Sequence, residues 1–269
     1  MCYSRGNRSA RIYNTILIKW GRAMRNQRRL SSVTGVAIIM LLTVVACGES
    51  PPAEPAAPGT SPPSSESAPR ETAMVTDERI KRAAKDEPGA WMTYGRTFEE
   101  QRFSPLTEIN RETVGGLGVA WFKDLNTTRA LEATPLVIDG VMYFTSAWNI
   151  AYALDAKTGE EIWRYDPKVP PEHARKSCCG VISRGLAVYE GKAYVATLDG
   201  RLIALDAADG SPVWETDTIV DRERNYSITG APRAAAGKIY IGNGGAEFGV
   251  RGYVTAYDAE TGEQAWRFY

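Results

Sequence analysis

The residues richest in chemistry are two adjacent cysteines, Cys178 and Cys179, followed five positions later by Arg184. Neighbouring α-carbons lie about 3.8 Å apart across a trans peptide, whereas disulfides usually span roughly 4.4–6.8 Å. A bridge between the two would therefore close a strained ring, and strain of that kind persists where surrounding structure imposes it, often at a functional site. Two adjacent reduced, buried thiols are the other reading of the same dipeptide. Zinc fits poorly, because the remaining cysteines, Cys2 and Cys47, lie near the N-terminus and His173 is the only histidine. His173 has no Ser-His-Asp constellation around it and reads as a loop residue beside Pro170-Pro171-Glu172.

A second chemical signal is the glycine-rich run Gly242-Asn-Gly-Gly-Ala-Glu247. It is no phosphate-binding P-loop, since no Gly-Lys-Ser/Thr follows, and no dinucleotide fingerprint, since Glu247 stands where the third glycine belongs. The residues after it, Gly252-Tyr-Val-Thr-Ala-Tyr257, alternate as a strand and do not open a helix.

The elements that must position these residues are announced by a repeat. Ala153-Leu-Asp-Ala-Lys-Thr-Gly159 leads to Trp163, Ala204-Leu-Asp-Ala-Ala-Asp-Gly210 to Trp214, and Ala256-Tyr-Asp-Ala-Glu-Thr-Gly262 to Trp266, at intervals of 51 and 52 residues. Each copy is preceded by a second theme, Gly140-Val-Met-Tyr143, Gly191-Lys-Ala-Tyr194 and Gly237-Lys-Ile-Tyr240. Periods of this length mean repeat architecture. In the second copy the alternation predicts strands over Gly185–Tyr189, Ala193–Thr197, Leu202–Asp206 and Pro212–Glu215, joined by short turns at Glu190-Gly191, Asp199-Gly200 and Asp206. The turn Asp can bond its own backbone, and the turn Gly takes a left-handed conformation cheaply. A lone four-stranded sheet leaves a face uncovered, so the copies should stack radially as blades of an all-β propeller. Trp121 reads as part of an outer strand preceding the three repeats, and Thr76–Lys85 as one short helix capped by Thr76.

The spacing and the Ala-x-Asp-x-x-x-Gly-x-x-x-Trp pattern resemble the tryptophan-docking motif of the pyrroloquinoline quinone (PQQ) dehydrogenases, whose propellers have eight blades, of which about three would lie here. Trp91 to Ile109 resembles the opening segment of that family, so the likeness runs from about Val75 onward. The resemblance implies that Cys178 and Cys179 are disulfide-bonded against one face of the quinone and that Arg184 contacts the cofactor. Leu131-Glu-Ala-Thr-Pro135 matches a segment whose Glu bonds PQQ, hence Glu132, and Ile228-Thr-Gly-Ala-Pro232 one whose Thr meets a cofactor carboxylate, hence Thr229. By the same likeness Gly244, Gly245 and Ala246 approach PQQ through their backbone and Glu247 is a ligand of calcium, a cation that takes several oxygens. The activity implied is oxidation of primary alcohols, by hydride transfer to a metal-polarised quinone with an Asp as base, and electrons passing to a cytochrome c or quinone acceptor. That Asp, an Asn ligand and a Trp beneath the cofactor belong to later blades, so the expectation is a fragment, inactive alone and without a catalytic residue of its own. With no Cys-x-x-Cys-His in the chain, a haem c is expected only in a domain beyond Tyr269.

Charge and the N-terminus supply the compartment. Residues 1–46 hold eight Arg or Lys and no acid; removing those from the 32 basic residues leaves 24 against 32 acidic ones. An acidic body argues against nucleic acid as a partner. Arg25, Arg28 and Arg29 precede the apolar run Val36–Ala46, too short for a bilayer-spanning helix, and then Cys47. This is the pattern of an export signal over residues 1–46, with Met24 as an alternative start, and Val44-Val-Ala-Cys-Gly48 resembles a bacterial lipobox that lipidates Cys47. A Pro-, Ala- and Ser-rich stretch follows, giving a disordered tether over 47–72 and the propeller over 73–269, so the expected location is the periplasm, on a membrane. A non-enzymatic propeller lipoprotein scaffold of outer-membrane assembly is the alternative. It shares repeat and anchor but has no need of Cys178, Cys179, Arg184 or Glu247.

Overall fold

The computed structural model describes residues 73–177 and 179–269. The export signal, the lipobox with Cys47, the tether and Cys178 lie outside the described residues. What is described is twelve strands in three four-stranded antiparallel sheets, each in simple chain order. Blade 1 contains β1 (Leu136–Ile138), β2 (Val141–Thr145), β3 (Ala151–Asp155) and β4 (Glu161–Tyr165). Blade 2 contains β5 (Ala187–Tyr189), β6 (Lys192–Ala196), β7 (Arg201–Asp206) and β8 (Pro212–Asp217). Blade 3 contains β9 (Arg233–Ala235), β10 (Lys238–Gly242), β11 (Val254–Asp258) and β12 (Gln264–Phe268). This is the expected propeller. The first strand of blade 2 starts later than its alternation suggests, because Gly185 at φ 133° still belongs to the loop.

Local chemistry explains the turns. The first two strands of each blade are joined at Asp139-Gly140, Glu190-Gly191 and Ala236-Gly237, every one of these residues having positive φ. Two successive left-handed residues make the tight turn whose twist matches antiparallel strands. Between the third and fourth strands the repeated Asp folds the turn: Asp155 Oδ1 accepts from the amides of Lys157 (2.9 Å) and Thr158 (2.8 Å), and Asp258 Oδ1 from those of Glu260 and Thr261 (both 3.0 Å). Those bonds, the Thr158 amide first for Asp155 and the Thr261 amide first for Asp258, hold both carboxyls below the ordinary carboxylate range.

The tryptophans lock one blade to the next. Trp163 donates its indole N–H to the Ala207 carbonyl (3.0 Å), Trp214 to that of Ala259 (3.2 Å) and Trp121 to that of Ala156 (3.2 Å). In each case the acceptor lies in the docking turn of the following blade. The tyrosine of the second theme does the same: Tyr143 Oη donates to Ala207 O (3.1 Å) and Tyr194 Oη to Ala259 O (3.0 Å), with burial pushing both hydroxyls up. The glycine of the turn is obligatory, since a Cβ on Gly210 would sit 2.7 Å from the Trp163 ring. Trp121 was expected in a strand and is not in one. No described strand pairs with it, so its indole alone docks.

The helix α1 (Asp77–Asp86) is capped by Thr76, whose Oγ1 accepts from the Arg79 amide at 3.2 Å. The segment leading into it runs across the tight turns of all three blades. Ala73 N donates to Asp139 Oδ2 (3.0 Å), Glu190 N to Val75 O (2.9 Å) and Ala236 N to Asp77 Oδ2 (2.8 Å). Ile80, Ala83 and Met92 then join Leu136, Val188 and Ala193 in the main core. In an up-and-down blade the segment entering the first strand and the link between the second and third lie at the same end. Residues 130–135, 179–186, 226–232 and 243–253 therefore gather opposite the docking turns.

Candidate functional site

At that end the segments that enter the three blades are stitched together by backbone. Thr134 N donates to Arg184 O (3.2 Å), and Arg184 N to Thr229 O (3.0 Å). The side chains follow. Arg184 Nη1 donates to Thr229 Oγ1 (2.5 Å) and Nη2 lies 3.6 Å from Glu132 Oε2. The structure thus brings together Glu132, Arg184 and Thr229, which are 97 residues apart at their extremes. Arg184 and Glu132 are 36% and 41% exposed, so the ion pair is weak in water and its guanidinium stays available to a ligand.

The glycine-rich link of blade 3 closes the other side. Gly244 N donates to Ser227 O (2.7 Å), and Asn243 Oδ1 accepts from Tyr253 N (2.8 Å). Gly245 takes φ 111°, and a Cβ there would come within 2.4 Å of Asn225 O, so only glycine fits. The turn Ala246–Phe248 follows. The amides of Gly245 and Ala246 donate to no described group. Between these parts lies an open cavity of about 410 Å³, lined by Arg184, Thr229, Gly230, Tyr240, Asn243 and Gly244.

A guanidinium fork and a hydroxyl line this cavity, a donor set suited to a carboxylate-bearing ligand, while the Gly245 and Ala246 amides lie just beyond its Gly244 rim. The volume lies within the usual range for small-molecule sites, about 300–1,000 Å³. PQQ, a flat tricarboxylate, fits that chemistry. The metal is different. Glu247 is exposed on the same link, and among the described residues no group of three or more His, Cys, Asp or Glu is placed to hold an ion. One carboxylate falls well short of the roughly six to eight oxygens that calcium takes, so no metal site is assembled by the described residues. Cys179 is exposed and has no disulfide to any described residue. The pairing with Cys178 lies outside the described residues.

Sequence reasoning missed the residues behind this face. Thr145 Oγ1 and Ser183 Oγ share a buried hydrogen bond at 2.8 Å, and Trp148 N donates to Val181 O at 2.9 Å.

Comparison with known proteins agrees with this fold. Residues 91–269 match the family described as PQQ, glucose/ethanol/alcohol dehydrogenase, beta-propeller domain. The quinohemoprotein alcohol dehydrogenase ADH-IIG of Pseudomonas putida is 57% identical over 187 residues, covering 70% of this chain and 26% of that protein. The dehydrogenase subunit of the alcohol dehydrogenase (quinone) of Komagataeibacter europaeus is 56% identical over 191 residues, covering 69% and 26%. The solved Pseudomonas putida ADH-IIG structure superposes with a TM-score of 0.72 at 56% identity, over 74% of this chain and 29% of that one. A europium-containing methanol dehydrogenase gives 0.68 at 40% identity, over 72% and 34%. The chain spans about a quarter of the length of these curated relatives. With its blades, docking turns and matched residues together, the chain belongs to the PQQ glucose/ethanol/alcohol dehydrogenase family and holds part of that family's β-propeller domain.

Proposed function

We propose that this chain forms one wall of a PQQ site in an enzyme that oxidises primary alcohols. The observation carrying the reading is the meeting of Arg184, Thr229 and Gly244 on one cavity at the end of the blades opposite the docking turns, with Glu132 paired to Arg184 behind it. When bound, PQQ supplies the hydride-accepting quinone. The chain's own residues bind and orient. Arg184 offers a fork to a carboxylate or quinone oxygen, and Thr229 holds that fork while keeping its hydroxyl at the cavity. Glu132 sets the guanidinium from its other side. The amides of Gly245 and Ala246 face a second edge of the ligand, and Glu247 would be one ligand of a calcium or similar cation beside it.

The finer parts of the reading rest on sequence. A Cys178–Cys179 disulfide would supply a rigid face for the ring. Export by residues 1–46, lipidation of Cys47 and a tether over 47–72 would place the propeller, 73–269, on the periplasmic side of a membrane, with a cytochrome c or quinone as electron acceptor. Replacing Cys47 by Ser should release the protein from membranes.

Calorimetric titration of the protein with PQQ tests the central reading. Wild type should bind, and Arg184→Ala should weaken binding by on the order of tenfold or more, the loss of a charge-assisted pair. Equal affinity in the two proteins would sink the assignment of this cavity.

A further inference from the structure

The link between β2 and β3 contains two consecutive non-glycine residues in the left-handed region, Trp148 at φ 64° and Asn149 at φ 58°. Asn tolerates that conformation and Trp does not, so the surroundings must impose it. They do. Asn149 is 1% exposed, its Nδ2 donates to Ala196 O (3.0 Å) and its Oδ1 accepts from Leu198 N (2.8 Å). Its amide thus pairs with the end of β6 in the next blade as a strand would. With Asn149 fixed, Trp148 N points at Val181 O, 2.9 Å away, and Ala147 packs on Val181 and Leu198. The same link begins at Thr145, whose hydroxyl bonds Ser183. Blade 1 therefore grips the chain at Val181 and Ser183, immediately before Arg184. In blade 2 the corresponding link turns on Gly200 at φ 87°, without any left-handed non-glycine residue.

We propose that Asn149 is a positioning residue of the cofactor face: by holding the strained link, it sets Val181–Arg184 at the height where the Arg184 fork meets the ligand. The inference rests on the PQQ reading above for its ligand and on the geometry alone for the positioning.

Asn149→Gly separates the two roles of this residue, because glycine takes φ 58° freely but makes neither side-chain bond. Two readouts are needed: amide hydrogen exchange by mass spectrometry and calorimetric PQQ binding. The comparator is Trp163→Phe, which loses a hydrogen bond at the opposite end of the blades. Asn149→Gly should speed exchange over residues 181–186 by roughly tenfold or more, leave β7 and β8 protected, and weaken PQQ binding by a similar factor. Trp163→Phe should change neither. Wild-type behaviour of Asn149→Gly would overturn the proposal, since backbone conformation alone would then suffice. Uniformly faster exchange across blades 1 and 2 would overturn it too, reducing Asn149 to general support. If wild type fails to bind PQQ, the functional reading falls, while the exchange comparison still decides whether Asn149 positions this segment.

Discussion

Arg184 is fixed to Thr229 twice, through its backbone amide and through its guanidinium, so a change at Thr229 acts on the arginine before it acts on any ligand. Thr229→Val keeps the volume and removes the acceptor. It should leave thermal unfolding within a degree or two and weaken PQQ binding severalfold, less than Arg184→Ala does; calorimetry on the three proteins checks the order. Glu247→Gln should leave PQQ affinity in calcium-free buffer unchanged and abolish any gain on adding calcium, because the amide lacks the charge a hard cation requires. An unaltered calcium effect would remove Glu247 from the metal. The types of these residues were legible in the sequence through family likeness. The same likeness puts all three on one cofactor; that they bond directly to one another was not legible, since nothing local in Glu132, Arg184 and Thr229 says that three strand-entry segments share hydrogen bonds. Asn149 and Trp148 were illegible for a related reason: their left-handed backbone depends on partners 47 and 33 residues away.

The blades themselves were legible, because each carries its own turn signal, Asp at the fold of the turn and Gly beneath the incoming ring. What the pattern did not disclose was the role of its repeated tyrosine, which donates to the same carbonyl as the tryptophan of its own sheet, the rings lying 6.0 Å apart for Tyr143 and Trp163. Trp163 is 6% exposed and Trp266 is 43% exposed although the two occupy equivalent strands. Trp163→Ala should therefore cost about 3–5 kcal/mol, the usual range for a large buried aromatic, while Trp266→Ala costs well under half of that. Denaturant unfolding of both variants measures the difference, and similar losses would show that a sheet's own packing, rather than docking, holds the indole.

Across the whole molecule, the segment from Ala73 to Glu87 ties the three blades at their tight turns, and its anchor is ionic. Arg79 bonds both Asp139 and Glu87, and holds the Asp139 carboxyl below its ordinary range. A depressed carboxylate contributes stability that is present above its unfolded value, about 3.9, and is lost as pH falls through the lower value of the fold. The anchor should thus hold from pH 7 down to about 3.9 and weaken progressively below that, freeing this segment before the strands exchange. Arg79→Met should show the freed segment already at pH 7, and amide exchange of residues 73–87 at pH 7 and at about pH 3 checks it. The helix and its cap were legible from Thr76 and the acidic first turn. Its crossing of three blades was not, because the Asp139 partner of Arg79 lies 60 residues away and Glu190 and Ala236 take part through backbone amides, which leave no mark on residue type.

The docking arrangement also has an optical consequence. The indoles of Trp163 and Trp214 each belong to one sheet, but ring and N–H lie in the turn of the next, so their emission senses a neighbour instead of their own strand. In variants that keep one of these tryptophans, Trp163 would monitor the turn of residues 206–210 and Trp214 that of residues 258–262. Loosening of a single blade would then be seen as a red shift from the blade before it, which lets the order in which the blades come apart be read from built-in probes.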